Sequence, residues 1–186
     1  MDYSTFKGLL GDVIAFVEER LLHECSLYRI PGSDVEAHSF LSRYKRGTRP
    51  PLKELADPFT ATTLLKYAIK ALDPPLLSRE IYPALKATLY LKETLKRCPP
   101  RAIAGIYDRL LTADQRYIFE KLAAHFYKVA EEPENQMTLV NLVTVFGPTC
   151  VISYEEETLE EMRASPGILL LLIQHAARKV GIDPRS

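Results

Sequence analysis

Apolar residues fall on helical spacing from the start of the chain. Phe6, Leu9, Leu10, Val13, Ile14, Val17 and Leu21 recur at three- and four-residue steps, which predicts a helix from Tyr3 to Leu22 with one buried face. Glu24 to Gly32 reads as a short exposed connector closed by Pro31-Gly32. Ser33 or Asp34 can cap a second helix reaching Tyr44, after which Lys45 to Pro51 is a basic loop rich in helix breakers. Leu64, Leu65, Ala68, Ile69 and Leu72 form one side of a third helix over Thr60 to Leu72, stopped by Asp73-Pro74-Pro75. Lys66 and Lys70, four residues apart, share a face of that helix.

The same period continues to the C-terminus. Helices are predicted over Ser78 to Lys96, and from Pro99-Pro100 to Leu111. Thr112-Ala113-Asp114-Gln115 has capping-box spacing ahead of Ile118, Phe119, Leu122, Ala123, Phe126 and Val129. Thr138 to Val145 reads as helix despite its β-branched content, with Gly147-Pro148 ending it. A last helix runs from Thr158 to Lys179, with an expected break at Ser165-Pro166-Gly167. No stretch alternates with a period of two, and no long repeat recurs. These features predict an all-α fold of seven or more helices in a single domain covering residues 1–186, cut from a longer protein.

Charge and composition narrow the functional classes. Lys plus Arg and Asp plus Glu both number 24, so the chain lacks the basic excess that nucleic-acid binding requires. The apolar run Ile168 to Ile173 is far short of the ~20 residues of a membrane span. Met1-Asp2-Tyr3-Ser4 has no basic region of a secretory signal, so a cytoplasmic setting is expected. Cys25, Cys98 and Cys150 form no C-x-x-C pair and are read as reduced, mostly buried thiols, with Cys25 semi-buried. His23, His38, His125 and His175 lack metal-ligand spacing and are read as surface or satisfied core histidines, so no metal is expected. The acidic runs Glu155 to Glu157 and Glu160-Glu161 suit a solvated helix N-terminus. Phosphate-cradling glycine loops and a serine nucleophile elbow are both absent, so the chain is not itself a nucleotide hydrolase of a recognisable type.

Three ordered motifs carry a resemblance. They are Ser26-Leu27-Tyr28-Arg29-Ile30-Pro31-Gly32, the segment Leu64-Leu65-Lys66-Tyr67-Ala68-Ile69-Lys70-Ala71-Leu72 followed by Asp73-Pro74-Pro75-Leu76-Leu77, and the stretch from Asn135 through Met137, Asn141 and Phe146-Gly147-Pro148 to Thr149. In order and separation they resemble the Rho-family GTPase-activating (RhoGAP) domain. Thr112 to Arg116 with His125 to Ala130 is similar to a segment of the family's centralspindlin RacGAP branch, which acts in cytokinesis. The resemblance implies a multi-helix RhoGAP-like bundle. Its partner would be a Rho, Rac or Cdc42-type small G protein in the GTP-bound form, which itself holds GTP and Mg²⁺. The chain would need no cofactor, would act as a monomer, and would reach the cytoskeleton through regions outside this sequence.

The chemistry of the residues agrees with that implication. A cation placed in trans can stabilise the charge that develops as GTP is cleaved, and Arg suits this better than Lys because its fork stays charged and donates several hydrogen bonds. Arg29, on the connector between two helices, is the arginine-finger candidate. The resemblance places Lys66, Lys70 and Asn141 in a groove beside it, supporting the loop and contacting the G protein. A mid-helix asparagine between Val140 and Leu142 also suggests a specific hydrogen bond. Met137, Val145 and Phe146 are expected to pack the core. Four positions depart from the family pattern: Ser26 replaces Gly, Ala68 replaces Phe, Lys70 replaces Arg and Val143 replaces Ala. Of these, Lys70, Ala68 and Ser26 motivate an alternative, a weakly active or inactive GAP-fold module that binds a Rho-family GTPase as an adaptor.

Overall fold

A computed structural model describes residues 1–95, 100–151 and 159–184. Among these residues there are eight α-helices and no strand, so the all-α expectation holds. They are α1 (Tyr3–Arg20), α2 (Asp34–Lys45), α3 (Thr60–Lys70), α4 (Tyr82–Leu95), α5 (Pro100–Leu110), α6 (Ala113–Glu131), α7 (Leu139–Cys150) and α8 (Leu159–Lys179). No helix among the described residues is long and apolar enough to cross a membrane. The expected helix end at Lys96, Cys98, the acidic run Glu155 to Glu157 and the side chains of Glu160 and Glu161 lie outside the described residues.

The chain forms two compact units, one of Met1–Pro75 with Tyr127–Leu142 and the other of Leu76–Phe126 with Val143–Ser186. In the first unit α3 packs against both α1 and α2. Thr60, Ala61, Thr62, Thr63, Leu64, Leu65, Ala68 and Ile69 of α3 are all buried, which leaves Lys66, Tyr67 and Lys70 as its accessible edge. A helix so enclosed is held by burial rather than by propensity, since its threonines are poor helix formers. Ser33 is the N-cap of α2, its hydroxyl accepting from the Glu36 amide at 3.3 Å.

In the second unit α8 packs against α4 and α5, around Phe119, Phe126, Phe146, Leu169, Leu172 and Ile173. The capping box at the head of α6 forms as predicted. The Gln115 amide donates to Thr112 Oγ1 at 3.2 Å and the Thr112 amide to Gln115 Oε1 at 2.7 Å. Gln115 Nε2 then donates to the Leu76 carbonyl at 2.9 Å, so one side chain caps a helix and fixes the segment before α4.

Several predicted boundaries move for identifiable reasons. α4 begins at Tyr82 rather than Ser78, because Pro83 lacks an N–H and fits only the first turn of a helix. α7 runs past Gly147-Pro148 to Cys150. A Cβ on Gly147 would lie 2.7 Å from the Pro166 nitrogen, so the glycine permits close approach between α7 and α8 instead of ending the helix. α8 is not broken at Pro166: the Met162 carbonyl, four residues earlier, accepts from Ser165 Oγ at 3.0 Å in place of the missing amide. Cys25 is exposed, not semi-buried; Cys150 is buried, and burial pushes its thiol up to about 12.

Candidate functional site

The site is built on the turn that follows α1. Leu27 and Tyr28 are fully buried, whereas Arg29 and Ile30 face outward. Two left-handed residues, Ser26 at φ 59° and Tyr28 at φ 69°, reverse the chain within this short space. The Ser26 carbonyl accepts from the Arg29 amide at 2.9 Å and the Ile30 amide at 3.2 Å, which closes the turn beneath the exposed pair. Ser26 thus stands where the family motif has glycine, and its φ shows why glycine suits that place.

Three attachments hold the turn. Lys66 Nζ, on the accessible edge of α3, donates to the Tyr28 carbonyl at 3.0 Å. Desolvation, with Lys70 adding a smaller like-charge effect, lowers the Lys66 ammonium pKa below the ordinary lysine value. The Ser26 amide donates to the Asn135 carbonyl at 2.8 Å. At the far end the Gly32 amide donates to Thr63 Oγ1 at 2.9 Å and the Ser33 amide to Thr60 Oγ1 at 3.1 Å. A Cβ on Gly32 would lie 2.1 Å from the Thr60 nitrogen, so only glycine allows the loop to rest on the start of α3.

The predicted site residues fall into two groups. Arg29 and Lys66 are brought together through the Tyr28 carbonyl, and Lys70 lies one helical turn beyond Lys66. Among the described residues the Arg29 guanidinium has no hydrogen bond or ion pair, and exposed Lys70 has no ion pair. Among the described residues no hydrogen bond joins Asn141 to these three. It is the third residue of α7 and not mid-helix, because Thr138 caps the helix and its Oγ1 accepts the Asn141 amide at 3.2 Å. The side-chain hydrogen bond expected of Asn141 is absent among the described residues, and its half-buried carboxamide remains open.

Other side chains take places the motifs did not announce. Ala68 and Val143 are buried, so these two departures alter packing and leave the surface of the site to Lys70. Met137 and Phe146 are buried as expected, while Val145 is only half-buried. In the basic loop Arg49 is engaged internally, meeting Asp12 at 2.5 Å. His23 Nδ1 lies 3.2 Å from half-buried Glu132 and 3.5 Å from exposed Glu134, a group of potential ligand atoms at the segment after α1. Buried His175 departs from the expectation of a satisfied core histidine, since its Nε2 has no partner among the described residues. Sequence reasoning missed Asn135, Thr60 and Thr63. Asn135 opens the third motif, but only burial distinguishes its role from that of Asn141.

Arg29 is thus offered outward on a turn braced by half-buried Lys66. The family model described as the RhoGAP domain matches residues 9–155, and the chain belongs to that family. Among curated relatives, the Active breakpoint cluster region-related protein of Xenopus tropicalis is 29% identical over 165 residues, covering 86% of this chain and 19% of the relative. Rac GTPase-activating protein 1 of Mus musculus is 29% identical over 138 residues, covering 73% of this chain and 21% of the relative. The chain therefore spans about a fifth of the length of these relatives. The two relatives are equally identical to this chain, so overall identity does not single out one branch of the family. In fold, the chain is similar to the BH domain from GRAF, the GTPase regulator associated with focal adhesion kinase, with a TM-score of 0.80 and 24% identity, covering 99% of this chain and 100% of that one. Human Rho GTPase activating protein 15 aligns with a TM-score of 0.77 and 20% identity, covering 93% of this chain and 83% of that one.

Proposed function

We propose that this chain activates GTP hydrolysis by small G proteins of the Rho, Rac and Cdc42 type, inserting Arg29 in trans as an arginine finger. The observation that carries this reading is the Arg29 side chain: exposed, unpartnered among the described residues, and mounted on a turn fixed at Ser26, Tyr28 and Gly32. Cleavage of the γ-phosphoryl group spreads negative charge over its oxygens and the leaving bridge. A guanidinium that arrives already positioned stabilises that charge without reorganisation, an effect worth about 10³ to 10⁵ in rate.

Lys66 holds the turn from below, and Lys70 and Asn141 supply polar contacts to the G protein. The partner binds in its GTP-loaded form and carries the nucleotide and Mg²⁺; this chain contributes no cofactor or metal and is not itself the hydrolase. It acts as a monomer in the cytoplasm, with cytoskeletal association set by regions outside this sequence. The test is single-turnover GTP hydrolysis by Rac, Cdc42 and Rho, with and without the domain and its Arg29→Ala variant. Acceleration by two or more orders of magnitude that vanishes in the variant supports the finger and ranks the partners; an Arg29→Ala variant as active as wild type overturns it.

The substitution of Lys70 for the family's arginine favours a second reading, an adaptor that binds a Rho-family GTPase with weak or no activation. Measurable binding to GTP-loaded forms without acceleration of any of them selects that reading.

A further inference from the structure

We infer that Asn135 is a positioning residue for the Arg29 turn: its buried carboxamide locks the 133–137 turn so that its own carbonyl holds Ser26, from which Arg29 is set. The inference rests on the GTPase-activating reading of Arg29 given above.

Asn135 is fully buried. Its Nδ2 donates to the Leu22 carbonyl at 2.8 Å and to the Val129 carbonyl at 2.9 Å, and its Oδ1 accepts from the Met137 amide at 2.8 Å. Both donors and the acceptor of one carboxamide are therefore engaged. The three partners belong to different segments: the chain leaving α1, the last turn of α6, and the residue just before the cap of α7. Gln136, at φ 59°, turns the chain immediately after it.

With the side chain held at three points, the Asn135 main chain cannot rotate freely. Its carbonyl accepts the Ser26 amide at 2.8 Å, and the Ser26 carbonyl accepts the Arg29 amide at 2.9 Å. Only one residue, Ser26, stands between the Asn135 carbonyl and the Arg29 amide along this path. Without it the amide of left-handed Ser26 loses its hydrogen bond, in a conformation that a serine enters reluctantly. Aspartate would turn both donors into acceptors facing two carbonyls, serine supplies one donor, and glutamine is a carbon too long. Asparagine alone fits all three partners.

Asn135→Ala retains the backbone carbonyl but frees it to move, so the turn loses precision while Lys66, Lys70 and Asn141 remain in place. A displacement on the order of 1 Å in a catalytic group costs roughly 10²-fold in rate. The experiment measures single-turnover hydrolysis at saturating domain, affinity for the G protein loaded with a non-hydrolysable GTP analogue, and amide exchange at Ser26, Arg29 and Ile30. The expected result is a rate loss of about 10²-fold, with affinity changed by less than about threefold and faster exchange at those amides. In an Arg29→Ala background, Asn135→Ala should cost no further rate, because no finger remains to be placed.

Equal losses in rate and affinity, or additive losses with Arg29→Ala, overturn the inference and leave Asn135 a purely structural residue. Should Asn135→Ala fail to fold, Asn135→Ser, which keeps one donor and one acceptor, gives the same comparison with an intermediate loss expected. If the wild-type domain accelerates no G protein, the functional reading fails, and amide exchange still decides on the turn: faster exchange supports the tether and unchanged exchange removes it.

Discussion

The Lys66 ammonium donates to the carbonyl of Tyr28 at 3.0 Å, so the lysine of the second motif grips the first motif one residue ahead of Arg29. The same ammonium is desolvated and lies near Lys70, two effects that both oppose its charge. A cation kept in such a place is held by what it binds. Lys66→Met preserves the apolar stem and removes the donor, leaving the Tyr28 carbonyl short of a bond at a cost of about 1–3 kcal/mol. Turnover with the preferred G protein should fall at least about tenfold, and binding should weaken as well. Stopped-flow hydrolysis paired with a binding titration checks both, and a variant unchanged in both would mean that the grip is dispensable.

Gly32 and Ser26 should respond to substitution with opposite signs. A Cβ at Gly32 meets the Thr60 backbone at 2.1 Å, and backbone cannot swing aside as a side chain can. Gly32→Ala is expected to cost about 3 kcal/mol or more and to move the loop off the Thr60 and Thr63 hydroxyls, abolishing most of the activity. Ser26→Gly relieves a left-handed serine and should stabilise by roughly 0.5–1 kcal/mol with activity retained or raised. Urea midpoints and hydrolysis rates for the two variants give the comparison; destabilisation by Ser26→Gly would show that the turn carries no strain.

How much of this was legible in the sequence depended on whether the cause was local. Helix periodicity and the Thr112–Gln115 box are short-range: the box forms as predicted and the helices are present, with several boundaries moved. Pro148 and Pro166 misled because the residues that accommodate them, Gly147 lying against α8 and Ser165 capping the Met162 carbonyl, matter only once the helices exist. The site divides in the same way. Arg29 and Lys66 could be found by motif, but the inward reach of Asn135 to Leu22 joins residues more than a hundred positions apart, and periodicity carries no trace of it. Asn141 was read as mid-helix because the helix was expected to end near Val145, whereas α7 runs to Cys150 and Thr138 caps its start.

His175 makes stability depend on pH. Burial first, and then the positive charges of Lys179 and Arg178, hold its pKa below the usual histidine value, with Asp108 opposing them. Its ring lies 4.8 Å from that of Tyr107, and Nε2 lacks a partner among the described residues. The folded chain thus resists a proton that the unfolded chain accepts near the ordinary histidine pKa of 6.5. Stability from this group is full above that pH and is lost as pH falls through the lowered folded value. Denaturant midpoints should drop between pH 7.5 and 5.5, and His175→Leu should reduce the drop; an equal drop in the variant would assign the effect to other groups.

Lys70 tests how far the departure from the family pattern limits the domain. It is exposed, lies one turn from Lys66, and forms no ion pair among the described residues, so its charge is available to a partner. An ammonium offers a point charge where arginine offers a planar fork able to make two parallel hydrogen bonds. One additional hydrogen bond of about 1 kcal/mol corresponds to roughly a fivefold gain. Lys70→Arg is therefore expected to raise catalytic efficiency by about that factor with unchanged thermal stability, since no internal contact is altered. The gain should survive in binding when Arg29→Ala is added, while hydrolysis stays at the unassisted rate, because on the proposed reading a finger and a groove act on different steps. No gain in either measurement would mean that Lys70 does not face the G protein, and the groove would then have to be drawn from Lys66 and Asn141 alone.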